Sequence, residues 1–310
     1  MKIHNPILFS RLLKDETLLY DTSVPFLDKH FAYKDWLHIW ERENLPTLRE
    51  MEFRTSEYVK KLTLVVYCFW ADKDDFDFLE FAILHTWRLL GRLPVVIVAD
   101  RRTGPLADFA AKYQDVFVRI SSTLEQGSVP SMSRDCLMNL YTYFTTPYCL
   151  VLQDDGFPIR DNIDDFLGKW DYIGAPAVGD TPLQYVADMM LRDTLNGGFS
   201  LRSRRYCQAV ARNWRLWGNR YARLRGLGDE EDFHYSCLVR LNPWVRLRYR
   251  LPNAVQARRF SFFDLLGTFD ACRLKCVPFG VHGQSTVWQY RKWLETQFGY
   301  KMSLSDLEMK

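Results

Sequence analysis

The sequence lacks several features that would assign it at once to a familiar class. No apolar run approaches the roughly 20 residues of a membrane-spanning helix, and residues 1–20 mix charged with apolar residues, unlike a signal peptide. There is no internal repeat, and no Gly-x-Gly-x-x-Gly follows any predicted strand, which argues against a dehydrogenase. A hydrophobic content of 47% excludes global disorder.

Paired cysteines are also missing. The seven cysteines are odd in number and scattered, and several lie in apolar runs. This pattern favours reduced thiols in a cytoplasmic protein over a disulfide framework. Cys272 and Cys276 are four residues apart with no second pair, which argues against a zinc site.

Lysine is absent from residues 201–260, which hold 14 arginines and only four acidic residues, Asp229 to Asp232. This arginine block is strongly basic, although the whole chain carries only +3. Guanidinium groups suit a donor diphosphate, a phosphorylated or lipid-linked acceptor, or an anionic membrane surface. The alternative is a solvated face whose aliphatic stems cover apolar surface. No nucleic-acid-binding motif accompanies the block, so no nucleic-acid partner is expected.

Apolar runs of strand type alternate with helical spacing from residue 61 onward. Strands are predicted at 62–69, 94–99, 116–120 and 148–153, with helices at 75–90, 106–113 and 133–143. This order predicts an α/β fold with a mostly parallel central sheet flanked by helices. We expect this domain over residues 61–290, a helical extension over 1–60 and a tail over 291–310.

Two adjacent acids, Asp154 and Asp155, follow the fourth predicted strand and precede Gly156. Ligands of parallel sheets sit beyond the carboxyl ends of the strands. Neighbouring carboxylates repel each other, and a divalent ion bridging to a phosphate would offset that repulsion. A solvated turn is the alternative reading of this pair.

Three further features follow in order along the chain. The segment 196–202 reads Asn-Gly-Gly-Phe-Ser-Leu-Arg, and its glycines would let the backbone approach a ligand closely. The acids at 229–232 open a predicted helix, and His282 stands between two glycines.

Taken in this order, the motifs resemble those of GT-A-type, sugar-nucleotide-dependent glycosyltransferases, and most of all a little-characterised bacterial family assigned to that group. The matching segments are 150–156, 170–176, 196–202 with Glu231 and Asp232, and 279–283. The resemblance spans about 62–283 and implies a GT-A-like, Rossmann-like single domain.

The resemblance also implies a metal site. In such enzymes an Asp-x-Asp motif holds a divalent ion, Mn²⁺ or Mg²⁺, against the nucleotide diphosphate. Here the motif reads Gln153-Asp154-Asp155, so Asp155 takes the final acid position and Asp154 is the second candidate ligand. His282 resembles the histidine that completes the metal shell in some relatives.

The remaining roles come from the same resemblance. Asp232 resembles the base of inverting enzymes, with Glu231 beside it, and Gly197 and Gly198 match the loop that lines the donor sugar and acceptor.

Two further positions are candidates for nucleotide contacts. Arg134, beside Asp135, lies on the helix that enters the fourth strand, and Asp100 follows the second strand. Each of them could equally be an ordinary surface residue.

The expected activity is therefore transfer of a sugar from a nucleotide sugar, a uridine diphosphate sugar, to a hydroxyl of a glycan, polysaccharide or lipid-linked acceptor. A retaining outcome stays open beside the inverting one. We expect a cytoplasmic protein, with peripheral contact to the inner membrane face through the arginine block.

Two other classes remain. One is a catalytically degenerate carbohydrate-binding protein, which the altered Asp-x-Asp motif keeps open. The other is a metal-dependent nucleotidyltransferase. Such an enzyme usually carries a glycine-rich basic loop after its first strand, and residues 69–75 do not have one.

Overall fold

A six-stranded sheet forms the centre of the fold. The computed structural model describes residues 26–68, 76–124, 127–176, 195–217, 231–263 and 277–301. The strands are β1 (Leu62–Cys68), β2 (Val95–Ala99), β3 (Val116–Ile120), β4 (Tyr148–Leu152), β5 (Gly156–Pro158), β6 (Tyr172–Pro176), β7 (Leu195–Ser203), β8 (Ser261–Phe263) and β9 (Gly280–His282). The helices are α1 (Phe26–Arg49), α2 (Phe76–Leu90), α3 (Gly104–Lys112), α4 (Val129–Tyr143), α5 (Arg204–Trp217), α6 (Glu231–Leu241), α7 (Pro243–Arg248), α8 (Ala254–Ala257) and α9 (Gln284–Phe298).

The central sheet has the strand order β3-β2-β1-β4-β7-β6. Strands β1 to β4 are parallel to one another, and β7 runs antiparallel to both β4 and β6. All seven residues of β1 are buried, as expected for a strand that is covered on both faces. The predicted α/β class and the mostly parallel sheet are confirmed, and each of the four predicted strands begins and ends within one residue of its expected position.

Helices cover both faces of this sheet. Alternate residues of β1 point to opposite sides, so Leu64 and Val66 enter one hydrophobic core while Val65 and Tyr67 enter the other. Helices α1, α2, α3 and α9 pack on the first core, and α4, α5 and α6 on the second. In the described parts of the chain, every helix is too short or too polar to span a bilayer.

A second, three-stranded sheet in the order β5-β9-β8 continues from the end of β4. Strand β5 is antiparallel to β9, and this pairing places Gly156 directly opposite His282. The small sheet therefore brings residues that are far apart in sequence to the carboxyl end of β4.

The predicted N-terminal extension contains helix α1, whereas residues 50–60 form turns, irregular chain and one isolated bridge. Helix α1 packs against α2 and α9, and Trp36 and Trp40 are fully buried in the first core. The expected boundary at residue 290 falls inside α9, and Tyr300 beyond it is buried too. Residues 1–25 and 302–310 lie outside the described residues, and the proposed three-part division stays a prediction.

His85 ties α2 to β5 and to the end of the described chain. Its Nε2 lies 2.9 Å from the Pro158 carbonyl oxygen, and its Nδ1 lies 2.5 Å from the Tyr300 hydroxyl. A carbonyl can only accept, so Nε2 carries the proton and Nδ1 accepts from Tyr300. Burial lowers the pKa of His85 from 6.5 to about 3, because the charged form would lose its hydration.

We expect His85 to make stability fall with acid. Its folded pKa is below the unfolded value, so its contribution is complete above pH 6.5 and is lost as the pH falls towards 3. One proton corresponds to about 1.4 kcal/mol per pH unit within that window. Urea denaturation of wild type and His85→Gln between pH 7 and 4.5 should show the stability difference shrinking at roughly this rate. Other titrating groups cancel in the difference, and a difference that is constant with pH would refute the assignment.

Candidate active site

The acidic pair occupies a tight turn between β4 and β5. Gln153 and Gly156 exchange two backbone hydrogen bonds of 3.3 and 3.2 Å, so Asp154 and Asp155 form the tip of the turn. Gly283 donates its backbone N–H to the Asp155 carbonyl at 2.9 Å, and the Gln284 amide donates to Asp155 Oδ2 at 2.8 Å. The start of α9 therefore fixes the direction of Asp155.

His282 joins this turn from β9. Its Nε2 lies 3.0 Å from Gln153 Oε1 and 3.5 Å from Asp155 Oδ1, and its side chain is 4% exposed. The structure thus brings together the acid pair and the histidine that the resemblance assigned to one metal site. Gln153 lies at the same place. Its side-chain amide contacts the imidazole of His282, and it occupies the position where the Asp-x-Asp motif has its first acid.

The glycine loop of β7 lies against the same groups. A Cβ at residue 198 would fall on Gln153 Oε1 and His282 Nε2, inside the 3.0 Å that real Cβ atoms essentially never enter. A Cβ at residue 197 would lie 2.5 Å from both the Arg202 guanidinium and the Glu231 carboxylate. At both positions any larger residue would force side chains from other elements to shift, because these side chains close on the backbone there.

Asp232 reaches the glycine loop from the first turn of α6. The backbone N–H of Gly197 donates to Asp232 Oδ2 at 3.3 Å, and the Asp232 side chain is partly exposed. A partly exposed carboxylate that is held by a backbone donor can accept a proton from a ligand.

Glu231, its neighbour, has a different environment. Its Oε1 lies 3.5 Å from Arg202 Nη2, and its Oε2 accepts a 2.7 Å hydrogen bond from the Ser133 hydroxyl. Glu231 is 5% exposed and Arg202 is fully buried. Both Glu231 oxygens are engaged within the protein, which suits a positioning role better than contact with substrate.

Arg202 is the centre of this buried network. Its guanidinium donates to the Gly197 carbonyl oxygen at 2.9 Å and to Ser200 Oγ at 2.9 Å, and it lies 4.3 Å from the Tyr235 ring centroid. The cation therefore ties the glycine loop to the start of α6.

Three arginines of the block thus form hydrogen bonds or ion pairs within the protein. Besides Arg202, Arg204 donates to the carbonyl of Phe144, and Arg205 pairs with buried Asp171 at 2.7 Å. Arg220, Arg223 and Arg225 of the block, and Glu230 of the acidic run, lie outside the described residues, as does the nucleotide-loop position 69–75.

A third carboxylate, which the sequence analysis missed, borders the acidic turn. Glu41 of α1 is fully buried, and neither of its carboxylate oxygens has a hydrogen-bond partner among the described residues. Burial raises its pKa well above 4.5, and the charges of Asp154 and Asp155 raise it further. Glu41 lies on the same face of α1 as buried Leu37 and Leu45. An acidic residue on an otherwise apolar helix face is the feature of the sequence that could have identified it.

Asp154 is affected by the same crowding. Burial raises its pKa from 3.8 to about 6, with the neighbouring Asp155 charge as the second cause and Lys34 opposing both. Like charges at a strand end disfavour ionisation unless a cation arrives.

The two candidate nucleotide contacts follow β2 and lie on α4, respectively. Asp100 follows β2 at the same sheet edge, partly exposed, and its Oδ1 has no hydrogen-bond partner among the described residues. Arg134 is exposed on α4. Its neighbour Asp135 is fully buried and accepts hydrogen bonds from Tyr67, Ser121, Asn139 and Tyr143, so Asp135 anchors the core.

The donor set at the turn fits a hard divalent cation in part. Carboxylate oxygens of Asp154 and Asp155 and the imidazole of His282 are ligands that Mn²⁺ accepts. Within the described residues, no three His, Cys, Asp or Glu side chains are arranged to hold a metal by themselves. Ions of this kind often bind one or two carboxylates and complete their shell with water and substrate phosphates. The geometry therefore suits an ion that is shared with a phosphate ligand.

Comparison with known protein families gives one match. The family described as "Protein of unknown function (DUF5672)" matches residues 121–282, just over half of the chain. That stretch contains the acidic turn, the glycine loop, the start of α6 and His282. No curated protein sequence matches the chain.

Several solved structures are similar to the chain at low identity. The mannosyltransferase Ktr4p from S. cerevisiae is 11% identical, with 75% of this chain and 82% of that chain covered and a TM-score of 0.39. Core-mannan synthase A from Aspergillus fumigatus, in a Mn/GDP form, is 10% identical over 61% of this chain and 75% of that chain, with a TM-score of 0.42. The mannosyltransferase PcManGT from Pyrobaculum calidifontis, in complex with GDP-Man and Mn²⁺, is 11% identical over 58% and 55%, with a TM-score of 0.31.

Proposed function

This chain belongs to the DUF5672 family, and from that premise we propose that it is a glycosyltransferase moving a sugar from a nucleotide sugar to a hydroxyl acceptor. One observation supports the proposal most. The acidic turn, the glycine loop, Asp232 and His282 come from four separate segments and meet at the carboxyl end of β4. These are the segments whose order resembles the glycosyltransferase motifs.

The chemistry of the site suits an inverting displacement. Asp232 would accept the proton of the acceptor hydroxyl, whose oxygen forms a bond to the anomeric carbon of the donor. The bond from that carbon to the phosphate oxygen breaks, and the nucleoside diphosphate leaves with the electron pair. A positioned carboxylate base contributes roughly 10²–10⁴-fold to such a step.

The acidic turn would stabilise the negative charge of the diphosphate leaving group. Asp155 and His282, with Asp154 as a further ligand, would hold a divalent ion that neutralises the diphosphate when bound. Gln284 and Gly283 keep Asp155 in place for that role. The backbone of Gly197 and Gly198 would line the donor sugar and the acceptor, while protein side chains fill the space where their Cβ atoms would lie.

A nucleotide panel tests the proposal. The purified chain is incubated with UDP-, GDP- and other nucleotide sugars, with and without Mn²⁺ or Mg²⁺, while nucleotide release and melting temperature are followed. The panel needs both bases, because the expected donor is a uridine diphosphate sugar and the compared mannosyltransferases carry GDP or GDP-Man. We expect one donor to raise the melting temperature of the protein and to release nucleotide. In Asp155→Asn, the nucleotide release that depends on added Mn²⁺ or Mg²⁺ should be lost.

The outcomes separate the alternatives. A melting shift without turnover for any donor and acceptor would favour the non-catalytic carbohydrate-binding protein, for which Gln153 at the acid position is the structural argument. Pyrophosphate release from a nucleoside triphosphate and a sugar phosphate would instead show a nucleotidyltransferase. No shift and no turnover with any donor would refute the proposal.

Alanine at residue 198 provides a local test of the site. The added Cβ must displace the side chains of Gln153 and His282, so we expect Gly198→Ala to lose at least about tenfold in turnover, a modest disturbance of positioned groups. Its stability should fall by about 1–3 kcal/mol at most, the usual cost of overpacking. The matched control is Gly104→Ala, where no atom lies within 4 Å of the new methyl group. Wild-type turnover in Gly198→Ala would contradict this arrangement.

A further inference from the structure

Helix α7 presents apolar and basic side chains to solvent together. Trp244 is 77% exposed and Leu247 is 80% exposed, and Arg246 and Arg248 are exposed beside them. We call these four residues the α7 surface. Trp244, Leu247 and Arg248 are spaced i, i+3 and i+4, so they share one face of the helix.

The helix that carries this surface is firmly anchored. Asn242 caps it by accepting from the backbone N–H groups of Trp244 and Val245. On the inner side Val245 and Tyr249 pack on the second core, where the Tyr249 ring lies 5.1 Å from that of Tyr206. The exposed side chains are therefore held outward by a fixed element.

Charge identifies the kind of partner. Residues 233–263 contain six arginines and neither an acidic residue nor a lysine. No carboxylate of the described residues forms an ion pair with Arg246 or Arg248, whereas Arg205 of the same block is paired with Asp171. Arginines that pair with no carboxylate of the described residues, beside an exposed Trp and Leu, fit a surface that is anionic at its face and apolar just beneath it.

We propose that the α7 surface binds peripherally to anionic phospholipid bilayers, with the arginines at the headgroups and Trp244 and Leu247 at the acyl boundary. This goes beyond the proposed transfer activity and does not depend on it. A single such helix gives a weak and reversible contact, because only two large side chains enter the interface. The attraction should decrease as salt screens the arginines.

Vesicle co-sedimentation of the full chain tests the proposal. Vesicles of phosphatidylcholine alone are compared with phosphatidylcholine containing about one third phosphatidylglycerol, a strongly anionic surface. Wild type should sediment with the anionic vesicles only. Arg246→Glu/Arg248→Glu should lower the partition coefficient at least about 25-fold, since each arginine near such a surface is worth about fivefold. Trp244→Ser/Leu247→Ser should also lower it.

A matched control removes the effect of net charge. Lys112→Glu/Arg119→Glu changes the total charge by the same amount at two exposed positions. Lys112 is the last residue of α3, the helix that packs on β3. Arg119 lies on β3, at one edge of the central sheet, whereas the backbone of Arg250 after α7 pairs with Asp171 beside β6 at the other edge. We expect this control to keep wild-type binding within about twofold, because charges beyond a Debye length are screened.

Three results would overturn the proposal. Wild type could fail to prefer anionic vesicles, or both charge variants could lose binding equally, which would assign the effect to net charge. A dimer in sedimentation velocity that Trp244→Ser/Leu247→Ser dissociates would assign the surface to a second copy of the chain. Melting curves of each variant check that its fold is intact.

Discussion

Asp232→Asn is expected to lower transfer turnover by about 10²–10⁴-fold, the usual contribution of a positioned general base. Asparagine keeps the shape of the side chain and an oxygen that can accept from the Gly197 N–H, but it cannot take a proton from the acceptor. The melting temperature should therefore stay within about 2 °C of wild type, because the side-chain shape and the contact with Gly197 are preserved. Single-turnover nucleotide release and thermal denaturation measure the two quantities.

Glu231→Gln is the decisive comparison, because the two acids are neighbours on α6. Glu231 is buried between Arg202 and Ser133, so its neutralisation should act on stability, by about 3 kcal/mol, with turnover retained by the folded fraction. Asp108→Asn, on exposed α3 surface, controls for the loss of a charge. Should Asp232→Asn stay active while Glu231→Gln becomes inactive with full stability, the two roles would have to be exchanged.

Arg202→Met is expected to destabilise the protein by about 3–5 kcal/mol, the cost of leaving one member of a buried ion pair alone. The substitution removes the guanidinium that contacts the Gly197 carbonyl, Ser200 and Glu231, and it leaves the Glu231 carboxylate buried with Ser133 as its remaining contact among these groups. In a chain of this size the loss corresponds to a melting shift on the order of 10 °C.

Two further variants distinguish the loss of the Arg202–Glu231 ion pair from the loss of side-chain packing. Arg202→Met/Glu231→Met removes both charges and should be more stable than Arg202→Met, since two apolar residues can replace a buried pair at little cost. Arg215→Met makes the same change at an exposed arginine of α5 and should cost less than about 0.5 kcal/mol. Equal losses in Arg202→Met and Arg215→Met would contradict the role of the buried network.

The fold class was predictable because its signal is local. Strand β1 is buried on both faces, so its sequence is a nearly continuous apolar run, and β2 and β4 follow the same rule. The edge strand β3 is buried only at Val116, but its β-branched and aromatic residues still mark it as a strand. Other features were not predictable. The antiparallel insertion of β7 between β4 and β6, and the small sheet that sets Gly156 opposite His282, depend on pairings between distant segments.

Parts of the site were likewise visible in the sequence. Asp154, Asp155, Asp232 and the two glycines were identified by their order along the chain, and the structure brings them together. Glu41 was missed because it belongs to α1, outside the motif region, and reaches the acidic turn only through helix packing. Gln153 was noticed as a departure from the motif, but its 3.0 Å contact with His282 exists only in the folded chain.

The arginine block shows most clearly what each level decides. The sequence by itself determines how many arginines there are, where they lie along the chain and that few acids accompany them. It cannot tell a desolvated cation from a hydrated one, because desolvation depends on which side chains close around the group. The tertiary structure places Arg202 inside the protein with Glu231 and leaves Arg246 and Arg248 in solvent beside Trp244. One residue type therefore serves the interior of the site and the outer surface, and burial alone separates the two uses.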